Sequence, residues 1–269
     1  MQILLADAKI MNNATQISPI TTPAFQEKAN NMALEMAEMD NMKLAKMLNC
    51  SLSTANEAWK RYQNFFNVSK MPAIMAYNGQ AYKHLKAKEF NASELEFAQK
   101  HIWITSFLYG LLRPMDAIAP YRIEHNVKLQ SANGMTLNTF WRDKLTDMLI
   151  ESAKKDDNNY IIHLSTAEYE QLFDFKRVNK AVRIIHPLFY VRKNGELKIQ
   201  AVWAKTCRGA MTRFIIACTS VTQLIYMSEV GGLLLGSKIP VKLLDLIILF
   251  IERTIITLPI IVLCANFIF

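Results

Sequence analysis

Cysteine, glycine and proline are scarce in this 269-residue chain, which contains four cysteines, eight glycines and eight prolines. The cysteines, Cys50, Cys207, Cys218 and Cys264, are far apart and form no CxxC pair, so neither a zinc site nor a disulfide framework is indicated. The first residues, 1–5, lack the basic region and the long apolar stretch of a signal peptide. We therefore expect a cytoplasmic protein in a reducing compartment.

Several motifs of common enzyme classes are also missing from the sequence. It contains no GxGxxG or GxxxxGK[ST] loop for nucleotide phosphates and no GxSxG nucleophile elbow. Its five histidines show no HExxH-type spacing. We therefore expect no bound metal, no cofactor and none of these familiar catalytic sites.

Charge is nearly absent from the last 56 residues, 214–269, which hold three basic and three acidic side chains. The net charge of +8 therefore belongs to residues 1–213, where 28 basic side chains face 20 acidic ones. A positive balance favours anionic partners such as nucleic acids, nucleotides or acidic membrane surfaces. A merely basic soluble protein is the alternative. We predict one domain, 1–213, followed by an apolar tail, 214–269.

The tail consists largely of three apolar stretches, 214–235, 243–250 and 254–269. The last stretch is shorter than the about 20 residues that a membrane-spanning helix needs. A soluble domain rarely ends in such a run, because the run would expose a large apolar patch. One interpretation is therefore a tail-anchored membrane protein with poorly formed membrane segments.

Hydrophobic periodicity and turn signals predict an irregular succession of helices and strands. The predicted helices are 23–39, 42–48, 53–65, 93–100, 137–153, 167–173 and 207–216. The predicted strands are 2–6, 73–77, 102–107, 122–129, 160–164, 181–191 and 197–203. Residues 112–120 are predicted to be a loop, 193–196 a hairpin turn, and Ser93 with Glu96 a capping box. Because βαβ units do not alternate regularly, we predict an α+β fold with a mixed sheet.

The segment 44–62 is predicted to form two helices joined by a short connector. In a helix-hairpin-helix motif, the amides of such a turn grip the DNA backbone without reading sequence. That turn usually contains glycine, which tolerates a positive φ angle. Here the connector runs Asn49-Cys50-Ser51-Leu52, so the spacing alone favours an ordinary helical hairpin.

One polar cluster occupies the predicted loop and the segment after it. It combines two tyrosines, two arginines and two carboxylates: Tyr109, Arg113, Asp116, Tyr121, Arg122 and Glu124. Arginine forks bind phosphate oxygens in a bidentate manner, and tyrosine stacks on a base or hydrogen-bonds a phosphate. An internal network that pins an irregular loop is an equally good interpretation.

A second basic cluster contains Lys205, Arg208 and Arg213, at a predicted transition from strand to helix. The free N–H groups at a helix start attract anions, which these cations would reinforce. A solvated basic helix start is the alternative. The turn at Asn78-Gly79 also offers backbone amides, although such turns are common.

Taken together, these segments resemble the YaaA family of bacterial peroxide stress proteins. The matching stretches, in family order, are Asp7-Ala8-Lys9, Tyr77-Asn78-Gly79 with Tyr82, the run LYGLLRPMD that ends at Asp116, the run PYRIE that ends at Glu124, Phe140-Trp141, Leu164-Ser165 with Glu168-Tyr169, Ala204-Lys205 with Arg208-Gly209, and Met211-Thr212-Arg213-Phe214-Ile215. Position 7 is Asp, where the family usually has Pro, which changes the charge beside Lys9.

The resemblance implies a cytosolic protein that limits iron-driven oxidative damage to DNA. It also implies a single compact α+β domain with a helix-hairpin-helix element, and a positively charged cleft that accepts double-stranded DNA without sequence specificity. The cleft would use Lys9, Arg113, Arg122, Lys205, Arg208 and Arg213. Supporting roles would fall to Asn78, Gly79, Tyr109, Asp116, Tyr121 and Glu124.

Two further expectations accompany that resemblance. The leading interpretation is a non-enzymatic DNA-binding protein; the alternative is an enzyme acting on a nucleotide or nucleic-acid phosphate, with catalytic residues among Lys9, Tyr109, Asp116 and Glu124. Residues 214–269 are interpreted as a frameshifted or misread segment, with no true membrane partner. An intact reading frame at the locus, with tail peptides found by mass spectrometry, would contradict that interpretation.

Overall fold

The structure is a computed structural model, and it describes residues 1–155, 159–193, 196–218 and 260–265. Its strands are β1 (Gln2–Ala6), β2 (Met71–Pro72), β3 (Ile102–Ser106), β4 (Gly110–Leu112), β5 (Ala117–Ile118), β6 (Tyr160–Leu164), β7 (Arg183–Lys193), β8 (Glu196–Lys198) and β9 (Ile260–Ala265). Its α-helices are α1 (Gln26–Ala37), α2 (Asn41–Met47), α3 (Leu52–Gln63), α4 (Ala73–Ala76), α5 (Gln80–Leu85), α6 (Ala92–His101), α7 (Leu137–Lys154), α8 (Ala167–Glu170), α9 (Phe175–Ala181) and α10 (Ala201–Cys218).

The chain divides into two compact units. The first unit contains Met1–Gly79 and His101–Ile185, and the second contains Gln80–Lys100 and the described residues after Ile185. Strand β7 begins in the first unit and ends in the second.

A mixed sheet forms the centre of the first unit. Strand β1 lies between β3 and β6 and is parallel to both, and the start of β7 continues the parallel order beside β6. Strand β4 pairs with β3 in the antiparallel direction. Strands β1 and β6 are almost wholly buried apolar runs, as is typical of parallel strands covered on both faces. The predicted α+β fold with a mixed sheet is confirmed.

Helix α7 packs against this sheet through its apolar stripe. Trp141 is fully buried, and its indole N–H donates to the carbonyl oxygen of Phe107 at 2.8 Å. Gly110, at φ 77°, lies under this helix, where a β-carbon would come within 3.2 Å of the Trp141 ring. The predicted helix 137–153 is confirmed, because its long 3.6-residue period leaves little ambiguity.

The predicted pair of short helices is present as α2 and α3, which pack against each other. The Asp40 carboxylate caps α2 through the amide of Lys43, and the Ser51 hydroxyl caps α3 through the amide of Thr54. Asn49 lies in the connector at φ 46°, a conformation in which asparagine takes the place of glycine. The local geometry of a tight helical turn is therefore reached without glycine.

The predicted strand 73–77 is wrong, because Ala73–Ala76 forms the one-turn helix α4. All four of its residues are buried, and a short buried apolar run does not distinguish a strand from a helix. The strand in this part of the chain is β2, which directly precedes α4. It pairs with β5, and β5 lies inside residues 112–120, the segment predicted to be a loop.

The predicted strand 122–129 is also wrong. Among the residues that the structure describes, only an isolated bridge between Lys128 and Thr136 marks strand-like pairing there. Side chains hold this segment instead, since the Tyr62 hydroxyl donates to the carbonyl oxygen of Arg122 at 2.7 Å. Alternating hydrophobicity therefore reflects alternating burial along an irregular segment.

The start of α6 differs from the predicted capping box. The Asn91 side chain accepts from the amide of Glu94 at 2.9 Å, and the Glu94 carboxylate accepts from the amide of Asn91 at 3.0 Å. Glu96 instead pairs with Lys100 one turn later. The capping box therefore begins at Asn91, two residues before Ser93. Asparagine is also a favoured N-cap residue.

In the second unit, β7 and β8 form the predicted hairpin, with Lys193 paired to Glu196. Residues 194–195 of its turn lie outside the described residues. Strand β9 pairs with the other side of β7 in the antiparallel direction. The predicted strand 197–203 is too long, because β8 ends at Lys198 and α10 begins at Ala201.

The predicted boundary at residue 213 falls inside α10. Most of the predicted tail, residues 219–259 and 266–269, lies outside the described part of the chain. Among the helices that the structure describes, none combines the length and the apolar character required to traverse a lipid bilayer.

Candidate functional site

Polar side chains of the first unit gather at the carboxyl ends of three parallel strands, β1, β3 and β6. Asp7 follows β1 directly, and the pairing of Ala6 with Thr105 places it level with Ser106 at the end of β3. Tyr169 lies on α8, shortly after β6. The carboxyl edge of parallel strands is where ligands bind in open α/β sheets. This edge is therefore the candidate site.

The carboxylate of Asp7 receives two tyrosine hydroxyls. Tyr121 donates to its Oδ2 atom at 2.7 Å, and Tyr169 donates to its Oδ1 atom. The Tyr121 oxygen also lies 2.8 Å from the Tyr77 hydroxyl and 2.7 Å from the Ser106 hydroxyl. Because the Tyr121 proton points at Asp7, these two hydroxyls donate to Tyr121. Two hydroxyl groups thus bond to the carboxylate directly, and two more bond to it through Tyr121.

Burial raises the pKa of Asp7 to about 6, and it is the largest effect on this group. The hydrogen bonds from Tyr169 and Tyr121 oppose that rise, as does the charge of Lys9. The nearby Glu168 carboxylate raises the pKa further. A carboxyl group with such a pKa exchanges its proton near neutral pH, which is a property of many catalytic acids and bases.

Lys9 and Glu124 form the charged rim of this site. The Lys9 ammonium lies 2.6 Å from one oxygen of Glu124 and 3.8 Å from Glu168. The other Glu124 oxygen lies 3.2 Å from the guanidinium of Arg122. Lys9 and Arg122, which the sequence analysis assigned to DNA binding, therefore share the carboxylate of Glu124.

Helix α3 supports the backbone beside these groups. Arg61 donates to the carbonyl oxygen of Tyr121 at 3.0 Å, and Tyr62 donates to that of Arg122. Burial lowers the pKa of Arg61, and the charge of Arg122 lowers it further. Sequence reasoning missed Arg61 because a lone arginine on an amphipathic helix carries no motif.

Arg113 and Asp116 form the internal network that was one of the two interpretations of this loop. Asp116 is 1% exposed and accepts from the Thr21 hydroxyl, the Arg113 amide and the Arg113 guanidinium, at 2.6, 2.7 and 3.2 Å. The Arg113 side chain is 39% exposed. The pair therefore pins the loop and still leaves part of the guanidinium accessible.

Tyr109 is fully buried, and its oxygen accepts from the amide of Ala119 at 3.1 Å. Burial raises the pKa of its hydroxyl above its ordinary value. Its ring packs edge-on against Tyr121, with centroids 5.6 Å apart. Tyr109 thus packs behind Tyr121, and its predicted supporting role stays a prediction.

The turn at Asn78 and Gly79 packs against the segment that follows β1. The Asn78 amide donates to the carbonyl oxygen of Ile10 at 2.8 Å, so it is occupied within the protein. A β-carbon on Gly79 would lie 2.7 Å from the β-carbon of Ala8. The glycine is required by this close approach.

In the second unit, the basic cluster lies within helix α10. The expected transition from strand to helix at Lys205 is wrong, because the helix already begins at Ala201 and the free amides of its first turn precede this residue. Lys205 is exposed and Arg208 is half-buried. Arg213 pairs with Glu94 at 2.6 Å and lies 5.0 Å from the centre of the Phe90 ring.

His163 and Glu170 are side chains of the first unit that are of metal-binding types. The His163 Nε2 atom lies 3.1 Å from a Glu170 oxygen, and the imidazole stacks on Phe175 at 4.9 Å. The expectation that this protein binds no metal remains a prediction.

Comparison with known proteins gives a consistent result. The profile of a family described as "Peroxide stress protein YaaA" matches residues 1–231, a range that continues past residue 213. A UPF0246 protein of Bacteroides thetaiotaomicron is 40% identical over 220 residues, which are 80% of this chain and 85% of the relative. UPF0246 proteins of Porphyromonas gingivalis and Crocosphaera subtropica are 37% identical over 239 residues and 34% identical over 222 residues. These matches cover 86% and 80% of this chain and 93% and 86% of the two relatives.

Proposed function

We propose that this chain, which belongs to the peroxide stress protein YaaA family, binds double-stranded DNA without reading its sequence and so limits iron-driven oxidative damage in the cytoplasm. The observation that carries the proposal is that basic side chains outnumber acidic ones and that several of the basic side chains are accessible at the surface. Lys205 is exposed, and the side chains of Lys9 and Arg113 are 44% and 39% exposed. Each of these cations can reach a phosphate from the surface of its unit.

The ion pairs at Lys9 and Arg113 are compatible with DNA binding. The carboxylates of these pairs are largely buried, since the side chains of Glu124 and Asp116 are 11% and 1% exposed, so removing the cation would leave a buried charge unpaired. A DNA phosphate can instead contact each cation from its exposed side while the pair stays intact, and release of counterions from DNA supplies the driving force. Lys205 is exposed and forms no ion pair among the residues that the structure describes, so it is open to a phosphate.

Replacing Lys205 with glutamine should weaken binding equally for duplexes of unrelated sequence. Loss of one phosphate contact should lower the slope of log affinity against log salt by about 1. Fluorescence anisotropy at several salt concentrations measures both quantities. Lys154→Gln, which neutralises an exposed lysine at the end of α7, is the matched control and should change the slope less. Salt-independent affinity in the wild-type protein would contradict DNA binding by this charge.

An enzyme acting on a nucleotide or nucleic-acid phosphate is the second candidate. The arrangement of Asp7, Lys9 and Glu124 at the carboxyl ends of parallel strands supports it. Asp7 is suited to carry a proton near neutral pH, while Lys9 is suited to hold a phosphate. We leave Tyr109 and Asp116 out of this second candidate, because both are buried and hydrogen-bonded within the protein.

Incubation with labelled nucleotides and with nicked DNA tests this second candidate. Turnover that is lost in Glu124→Gln and in Asp7→Asn, but retained in Glu151→Gln on the exposed face of α7, would support an enzyme. Turnover that survives in both site variants would exclude this arrangement as its source.

A further inference from the structure

Helices α5 and α10 of the second unit are in direct backbone contact. A β-carbon on Gly209 of α10 would lie 1.9 Å from the carbonyl oxygen of Ala81 in α5. The side-chain amide nitrogen of Gln80 in α5 lies 2.9 Å from the Thr206 hydroxyl of α10 and 3.2 Å from the Nε2 atom of His84. The side chains that border this contact therefore belong to one continuous surface.

Three basic side chains border the contact, and we call them the α5–α10 surface: Lys83, His84 and Lys205. Residues three and four positions apart share a helix face, so Lys83 and His84 lie on the same side of α5 as Gln80. By the same spacing, Lys205 lies one turn before Gly209, the residue of α10 that meets α5. All three basic side chains are exposed, so a partner can reach them from solvent.

The acidic side chains of this unit do not neutralise the α5–α10 surface. Within the described residues, each acidic side chain of the second unit is paired with another basic side chain: Glu89 with Lys86 at 3.6 Å, Glu94 with Arg213 at 2.6 Å, Glu96 with Lys100 at 2.7 Å, and Glu196 with Lys198 at 2.8 Å. Lys83 and Lys205 form no ion pair among those residues. Their ammonium groups are therefore open to an external anion.

We propose that the α5–α10 surface binds the phosphate groups of a polyanion. The proposal deepens the DNA-binding function and rests on it for one point, namely that the DNA backbone is the expected occupant. Lysine meets phosphate as a flexible point charge, which suits contacts that do not read sequence. The apolar side chains of α5, Tyr82 and Leu85, are buried, so this helix lacks the exposed apolar face with which a helix inserts into a membrane surface.

Replacing Lys83 with glutamine should weaken duplex binding by about fivefold or more at 0.1 M salt, because one phosphate contact is lost. The slope of log affinity against log salt should fall by about 1, and by about 2 when Lys205→Gln is added. Lys83→Arg keeps the charge and should bind as wild type does. Fluorescence anisotropy with a labelled duplex measures these values, and thermal unfolding verifies that each variant is folded.

The matched control is Lys100→Gln, which removes the same charge from a lysine of the second unit that is paired with Glu96. It should change the affinity and the salt slope less than Lys83→Gln does. Duplex binding that is equal in wild type, Lys83→Gln and Lys100→Gln would overturn the α5–α10 surface, while DNA binding by the protein would stand.

A short inorganic polyphosphate, which carries phosphates without bases or sugars, separates the surface from the DNA function. If wild type binds polyphosphate but no duplex, and Lys83→Gln weakens that binding, the surface stands and the DNA function falls. Vesicles containing phosphatidylserine test the membrane alternative. Binding to these vesicles that Lys83→Gln abolishes, without binding to duplex or polyphosphate, would overturn the proposal, as would the absence of binding to all three probes.

Discussion

Replacing Gly209 with alanine should disrupt the second unit, because α10 packs against α5 with no room for a side chain at this position. A β-carbon on Gly209 would lie 1.9 Å from the carbonyl oxygen of Ala81 and 2.7 Å from its carbonyl carbon. These are backbone atoms of α5, so they cannot rotate aside as a flexible side chain can. The two helices would have to separate.

The expected loss is about 3 kcal/mol in the free energy of unfolding, at the upper end of typical overpacking costs. Alanine favours a helix over glycine by about 1 kcal/mol, so the clash must outweigh a local gain. Denaturant unfolding measures the change. Ala201→Gly, at the exposed start of the same helix, is the control for helix propensity alone and should cost no more than about 1 kcal/mol. A Gly209→Ala protein as stable as wild type would show that the helices lie farther apart.

This prediction changes the interpretation of the Arg208-Gly209 pair. The family motif at this point combines a basic residue with a glycine, and the cluster suggested an anion site at a helix start. The structure gives the glycine a packing role in the middle of α10, and Gln80 of α5 also donates to the Thr206 hydroxyl at 2.9 Å. The motif therefore joins two helices as well as presenting charge.

Replacing Asp7 with asparagine should increase stability relative to wild type as the pH rises. The folded pKa of Asp7 is about 6, above its ordinary value of 3.8. Between those values the folded protein holds a proton that the unfolded chain has lost, so the stability of wild type falls as pH increases. Asparagine does not titrate and carries no such loss. The difference between the two proteins should grow by about 2 kcal/mol from about pH 4.5 to about pH 7.5.

Denaturant unfolding of both proteins across this pH range measures that difference, and titration of all other groups cancels in the comparison. Asp143→Asn is the matched control, because the Asp143 side chain is 88% exposed. The Asp7→Asn difference should change with pH by more than the Asp143→Asn difference does. A difference for Asp7→Asn that is independent of pH would mean that Asp7 ionises normally in the folded protein.

The cost at Asp7 bears on the function of the site. A carboxyl group whose pKa is raised by folding lowers the stability of the folded protein at neutral pH. Active sites often carry such a cost in stability. Wild type should thus lose stability relative to Asp7→Asn between acidic and neutral pH, whatever the difference between the two proteins is at acidic pH. If Asp7→Asn also abolishes phosphate-directed turnover, the enzymatic candidate gains over passive DNA binding.

Long, regular segments could be predicted from the sequence with little error. The strand Gln2–Ala6 has the predicted bounds, and the helix predicted at 137–153 ends one residue later, at Lys154. Short segments were less predictable. Residues 73–76 form a helix where a strand was expected, and the cap of α6 is Asn91 instead of Ser93. Four or five residues carry too little periodicity to separate the two structures.

The candidate site was predictable only in part. Motif resemblance identified Lys9, Tyr121 and Glu124, and the structure places all three at one edge of the sheet. Ser106 and Arg61 carried no recognisable signal, because a serine at a strand end and an arginine on a helix are both common. Tyr169 belonged to a matching motif, but nothing in its local sequence indicated that it bonds to Asp7.

The sequence by itself determined the family, the excess of basic residues and the α+β class, since each follows from composition, motifs or local periodicity. Tertiary structure decided which charges are engaged. Lys9 meets Glu124 from 115 positions away, and Tyr169 meets Asp7 from 162 positions away. Local preferences act over a few residues, whereas these contacts depend on the order in which parallel strands lie side by side. The altered pKa of Asp7 arises only once that order brings the groups together.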